Sequence, residues 1–227
     1  MTREHYDAML RRLDDQVLEL GELVASTIES CVDALESADA AAAQRLIEAD
    51  NCIDDKRYEI ERAALLLIAT QQPLASDLRN IAAILTIATE LERIGDYCEG
   101  IANLSLRMSA ETIDAPMADI RSMSSITERL LRRSLYAFQH RDIEIAGDVW
   151  RQDDKVDSLY GQVFQKLLAE MVQNRETVRG GTYLIWVAHN IERMADRVTN
   201  IAERVAFVVT GDVGAFRDRQ RAQSFPG

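Results

Sequence analysis

Two segments lying one hundred residues apart carry nearly the same residues. Glu92-Arg93-Ile94-Gly95-Asp96, followed by Ile101-Ala102, returns as Glu192-Arg193-Met194-Ala195-Asp196, followed by Ile201-Ala202. Self-similarity at such range marks an internal repeat, which obliges both copies to form the same supersecondary unit. Each segment otherwise reads as buried helix. Unpaired buried carboxylates are costly, so their recurrence points to two matching sites.

The helices are legible from apolar spacing. Met9, Leu13, Val17, Leu20, Val24, Ile28, Cys31 and Leu35 recur at steps of four and three, one stripe on a first helix about 45 Å long. Asp39 is placed to cap a second helix reaching about Gln71. Pro73 closes that helix and opens a third, which runs to about Met108. Ser109 to Pro116 reads as a linker. A fourth helix ends near His140, a fifth runs from Asp142 to about Asn174, and a sixth from about Thr177 to Val209, stopped by Gly211 and Gly214.

The halves then align. Asp39, Asp50 and Asp54 match Asp142, Asp153 and Asp157 at an offset of 103, while Arg79, Glu92 and Asp96 match Arg179, Glu192 and Asp196 at 100. A three-residue difference at the junction accounts for the change. The expected fold is all-α: two tandem three-helix bundles, six long helices related by internal duplication, with residues 1–109 as the first repeat, 110–210 as the second and 211–227 as a frayed tail. Sparse Gly, only three prolines and abundant Ala, Leu and Glu agree with long helices.

The formal charge of −12 argues against nucleic-acid binding, which rests on basic side chains. Cys31, Cys52 and Cys98 form no CxxC, which fits a reducing cytosol. The N-terminus has no signal-peptide pattern and no apolar run is long enough to span a bilayer, so a cytoplasmic location is expected.

Each repeat carries two carboxylate pairs at i, i+4, a spacing that puts both members on one helix face. Asp50 with Asp54 and Glu92 with Asp96 form the first set; Asp153 with Asp157 and Glu192 with Asp196 form the second. If the second and third helices of a repeat run antiparallel, the pairs face each other. Four close carboxylates repel unless a cation lies between them. Inward Glu and Asp on neighbouring bundle helices are a known way to build a metal site. Oxygen donors favour Mg²⁺, Mn²⁺, Ca²⁺ or carboxylate-bound iron over structural zinc. Glu99 or Asn103 in the first repeat and Asn200 in the second are further candidate ligands. The bland reading pairs the carboxylates with Arg93 and Arg193, or leaves them solvated. Arg79 and Arg179 read as helix-surface ion pairs or, more sharply, as phosphate or subunit contacts. His189 reads as core or helix surface, and Trp150 and Trp186 as packing residues. There is no nucleophilic triad and no nucleotide-binding glycine loop, so no catalytic residues are assigned.

Pro73-Leu74-Ala75-Ser76-Asp77-Leu78-Arg79 followed by Leu91-Glu92-Arg93-Ile94-Gly95-Asp96, with Ile191-Glu192-Arg193-Met194-Ala195-Asp196 and Asn200-Ile201 in the second copy, resembles the PhoU family across about residues 5–210. Gly100 departs from the pattern where the first copy would carry Asn, and the second copy lacks the Pro and Asp-Leu before Arg179. The resemblance implies multinuclear metal sites on the acidic motifs, holding iron, zinc or magnesium, with manganese also suited to the donors. It implies a cytosolic homodimer that binds the ATPase subunit of a phosphate ABC transporter and a sensor histidine kinase. Such a protein reaches the membrane only through those partners and represses phosphate uptake and the starvation response. The competing classes are a ferritin-like carboxylate-bridged metal enzyme and a metal-free helical scaffold; the missing E-x-x-H pairs argue against the former.

Overall fold

The structure is a computed structural model that describes residues 3–108 and 116–216. Among them the chain is helical throughout, with no strand: α1 (Arg3–Glu36), α2 (Ala40–Gln71), α3 (Ala75–Met108), α4 (Met117–His140), α5 (Ile143–Arg151), α6 (Asp154–Gln173) and α7 (Val178–Thr210), with one 3₁₀ turn (Arg175–Thr177) before α7. Local chemistry sets the boundaries. Asp39 accepts from the Ala42 amide, and Asp142 from the amides of Glu144 and Ile145. These bonds satisfy N–H groups that a helix start leaves open. Gly211 ends α7 with φ +80°, a left-handed conformation that glycine adopts without strain.

The α1 stripe is buried as its spacing predicts, from Leu13 to Leu35, with Met9 packed partly buried at its start. Helices α1, α2 and α3 pack on one another, as do α4, α5–α6 and α7. The expected fifth helix is broken: α5 stops at Arg151 and α6 starts after a turn through Gln152 and Asp153. In the first repeat α2 passes the corresponding position unbroken.

The two bundles share one core. Helices α1, α3, α7 and α4 close a ring in which each packs on the next, and α2 and α5–α6 lie outside it in the α1/α3 and α4/α7 grooves. A single continuous apolar cluster runs through both halves. Between α1 and α4, Arg121 pairs with Asp33 and Glu36, Arg132 with Glu22, and Arg141 with Asp14. The three arginines fix an antiparallel register. Gly21 lets the helices approach closely there, since a Cβ would overlap the Leu135 side chain. Between α3 and α7, Asn200 and Arg197 donate to Glu90 Oε2 at 3.2 and 3.3 Å, and a Cβ on Gly100 would stand 3.0 Å from Asn190 Nδ2. Residue 90 of one repeat meets residue 200 of the other, and 100 meets 190, so the repeats join about a pseudo-two-fold axis like an isologous dimer.

The expected linker at Ser109–Pro116 lies, but for Pro116, outside the described residues, as does the tail from Arg217 onward. The tail's first part is packed: Phe216 is buried, its ring 5.9 Å from that of Trp150. Trp150 thus serves packing, whereas Trp186 is half exposed and does not fill the core.

Candidate metal centres

The acidic pairs of the first repeat meet across the α2–α3 groove. Ile53 on α2 is buried against α3, which carries Asp50 and Asp54 toward Glu92 and Asp96. Gly95 makes the approach possible: a Cβ there would meet Ile53 Cδ1 at 3.0 Å and Asp50 Oδ1 at 3.1 Å. The carboxylates are half-buried at the groove rim and Asp96 is exposed, so the fully buried setting suggested by the flanking apolar residues does not hold. The helix backs fill the core; the acidic faces line its edge.

Their proximity shows in their acidity. Burial, then Asp96, Glu99, Asp54 and Glu92, push Asp50 up to about 6. Glu92 is raised by burial and by Asp96, with Arg57 pulling the other way, and Asp96 is raised by burial, Asp54 and Glu99. Glu99 therefore belongs to this cluster. Its Oε1 also accepts from Asn103 at 3.3 Å, so Asn103 stands one step behind it.

The second cluster repeats the plan between α6 and α7. Burial, Asp157 and Asp196 push Asp153 up to about 6, with the Thr199 hydroxyl opposing them. Asp157 is raised by burial, Asp196 and Asp154, and Glu192 by burial and Asp196 with Arg193 opposing. Asp153 Oδ1 and Glu192 Oε2 are buried without a hydrogen bond. His189 Nδ1 is 3.5 Å from the latter oxygen, and its side chain is half exposed. Arg193 reaches Asp196 Oδ2 at 2.7 Å.

Asn200, expected as a ligand, donates its Nδ2 to Glu90 across the α3–α7 interface; a metal would be held by its Oδ1, which that bond does not use. Asp154, Arg57 and Thr199 act on the clusters without having been singled out in the sequence. Only Asp154 carried a signal, as the neighbour of Asp153. Arg79 packs on Gly211 at the C-terminus of α7, where a cation suits the helix dipole, and Arg179 Nε lies 3.4 Å from the Tyr183 hydroxyl.

Among the described residues no three His, Cys, Asp or Glu side chains are arranged so that they could hold a metal ion as they stand. The donor chemistry nevertheless fits a hard cation, with carboxylate oxygens on facing helices, mutual repulsion and two orphaned buried oxygens in the second cluster. A cation would relieve both the repulsion and the missing bonds.

A duplicated bundle with one carboxylate cluster per repeat is the class of protein that fold and site define. The family model for the PhoU domain matches residues 17–105 and again 120–205, the two bundles just described. The phosphate-specific transport system accessory protein PhoU homolog of Clostridium acetobutylicum is 36% identical, the match covering 93% of this chain and 97% of that relative. The chain is similar to the crystal structure of PhoU from Pseudomonas aeruginosa, with TM-score 0.87 and 29% identity over 91% of this chain and all of that one. It is also similar to the phosphate transport system regulatory protein PhoU from Streptococcus pneumoniae, with TM-score 0.86 and 28% identity over 92% and 98%. The chain belongs to the PhoU family.

Proposed function

We propose that this protein is a metal-binding cytoplasmic regulator of phosphate uptake, a homodimer that links a phosphate ABC transporter, through its ATPase subunit, to a sensor histidine kinase. In this reading it restrains uptake and the starvation response when phosphate is plentiful. The relatives' names as accessory proteins of phosphate-specific transport support the regulatory role. The observation that carries the metal reading is the pair of matched carboxylate clusters, each with one aspartate pushed up to about 6. Among the described residues no helix is long and apolar enough to cross a membrane, which agrees with reaching the transporter as a partner.

The metal has a structural part in this reading. It would tie α2 to α3 and α6 to α7, with Asp50, Asp54, Glu92 and Asp96 as oxygen donors in one groove and Asp153, Asp157, Glu192 and Asp196 in the other. Iron, zinc, magnesium and manganese are the candidate ions. No catalytic step is assigned to the chain.

Two measurements test this. Elemental analysis of protein purified without chelator should find metal in both repeats; less than about 0.1 ion per chain refutes the metal reading. Deleting the gene in its host should release a phosphate-regulated reporter at high phosphate, and unchanged repression refutes the regulatory role.

A further inference from the structure

The two carboxylate grooves share a plan but differ at their ends. The stripe of α3 that carries the first cluster reads Thr89, Glu92, Asp96, Glu99, and that of α7 reads His189, Glu192, Asp196, Thr199. Steps of three and four keep each set on one helix face. The middle pair is common to both. At one end the first groove has the Glu99 carboxylate where the second has the Thr199 hydroxyl. At the other end the second groove has an imidazole where the first has Thr89, whose hydroxyl donates to the Leu85 carbonyl at 2.9 Å.

The facing helices differ at that same end. Arg57 on α2 pairs with Glu61 at 2.6 Å, and its charge acts on Glu92. The offset of 103 puts Tyr160 in its place on α6, an uncharged ring 6.0 Å from that of His189. A guanidinium beside Glu92 repels a cation, and the second groove carries no charge at the matching position. Arg193 is held by Asp196, one turn beyond Glu192 and farther from His189.

His189 Nδ1 stands 3.5 Å from Glu192 Oε2, and that oxygen is buried and makes no hydrogen bond. Two ligands about 2.1 Å from one tetrahedral ion stand about 3.4 Å apart, so this nitrogen and oxygen are spaced as one ion would space them. Asp157 acts on Glu192 from α6, and it is exposed at the rim, free to turn onto a shared ion.

We propose that His189 is a metal ligand which, with Glu192 and Asp157, makes the second groove a nitrogen–oxygen site, so that the two repeats take different metals. Imidazole suits zinc, cobalt and ferrous iron, whereas the all-oxygen first groove suits magnesium or manganese. Carboxylates also bind zinc, so the difference shows in the order in which the grooves fill. The inference rests on the metal reading of the grooves and goes beyond it by giving the repeats separate ions.

The test titrates chelator-stripped protein with zinc against a large excess of magnesium. The wild type is compared with Glu92→Gln/Asp96→Asn, which disables the first groove, and with His189→Phe, which keeps a ring against Tyr160 and removes the nitrogen. The imidazole resonances of the three histidines are followed by NMR, that of His189 being assigned by its loss in His189→Phe. The first equivalent of zinc should shift the His189 resonance in the wild type and in Glu92→Gln/Asp96→Asn, and magnesium alone should not. His189→Phe should weaken that first zinc at least about ten-fold, the loss that even an outer-shell partner brings, with magnesium affinity and melting temperature retained. A His189 resonance that zinc leaves in place, or a His189→Phe protein that binds zinc like the wild type, overturns His189 as a ligand while the metal reading stands. A wild-type protein that binds neither zinc nor magnesium overturns the metal reading itself.

Discussion

Replacing Asp50 by asparagine should make the metal-stripped protein more stable and the metal-bound protein less so. Asp50 rises from the ordinary 3.8 to about 6 because burial and four neighbouring carboxylates oppose its charge. Each pH unit of displacement is about 1.4 kcal/mol, so a rise of about two units costs roughly 3 kcal/mol when the group is ionised. The side chain keeps part of its solvation at the groove rim, and screening reduces that to about 1.5 kcal/mol. The sign follows from linkage. Below the unfolded value of 3.8 the carboxyl is protonated in both states and costs nothing. As pH rises through about 6 the folded state must carry the opposed charge, and the stability it had at low pH is lost. The substituted amide has the shape of the carboxylate without its charge, so it keeps the close approach of Asp50 to Gly95.

The assay is urea denaturation with chelator present, across pH 4 to 8. The variant should exceed the wild type by about 1–2 kcal/mol near pH 7.5, with the difference closing toward pH 4. Adding metal should reverse the order. A ligand at a hundred times its Kd contributes about 2.7 kcal/mol, and the variant loses much of that at its first site. A stripped variant no more stable than the wild type near neutral pH would refute the repulsion on which the candidate site is argued.

Other outcomes follow from particular contacts. Gly21→Val should destabilise by about 2 kcal/mol, because the branched side chain would overlap Leu135 at the α1–α4 crossing; thermal or urea unfolding checks this. Glu90→Ala leaves the half-buried Arg197 without its carboxylate and Asn200 without its acceptor. It should cost about 2–4 kcal/mol in melting experiments, and Glu90→Gln less. Asp153→Asn with Glu192→Gln should lower metal content by about one site, leaving the first repeat loaded; equal loss from both repeats would indicate unfolding instead. Asn200→Ala should lower stability by about 1 kcal/mol in urea unfolding, since its Nδ2 serves Glu90.

Much of the fold was legible because it is written in local terms. The apolar steps of α1, the caps at Asp39 and Asp142 and the stop at Gly211 are properties of a few neighbouring residues. The carboxylate pairs were legible for the same reason, through their helical spacing and their recurrence. Asp154, Arg57 and Thr199 were not, because their part in the clusters depends on which helix face meets which. The assignment of Asn200 shows the limit most clearly. Its place in the motif suggested a ligand, and nothing in that spacing showed that its Nδ2 would also reach Glu90 on a distant helix.

By itself the sequence determined the helices, their duplication and the residue types of the two acidic sites, since periodicity, capping and repetition need no knowledge of distant contacts. Only the tertiary structure decided that α1, α3, α7 and α4 form one shared ring, that α5 and α6 are separate, and that Asn80 and Arg141 both turn to Asp14 of α1. The physical reason is that an apolar stripe specifies a face to bury and not the face it will meet. That choice is settled by the fit of side chains between helices far apart in the chain, as at Gly21 with Leu135 and Gly95 with Ile53.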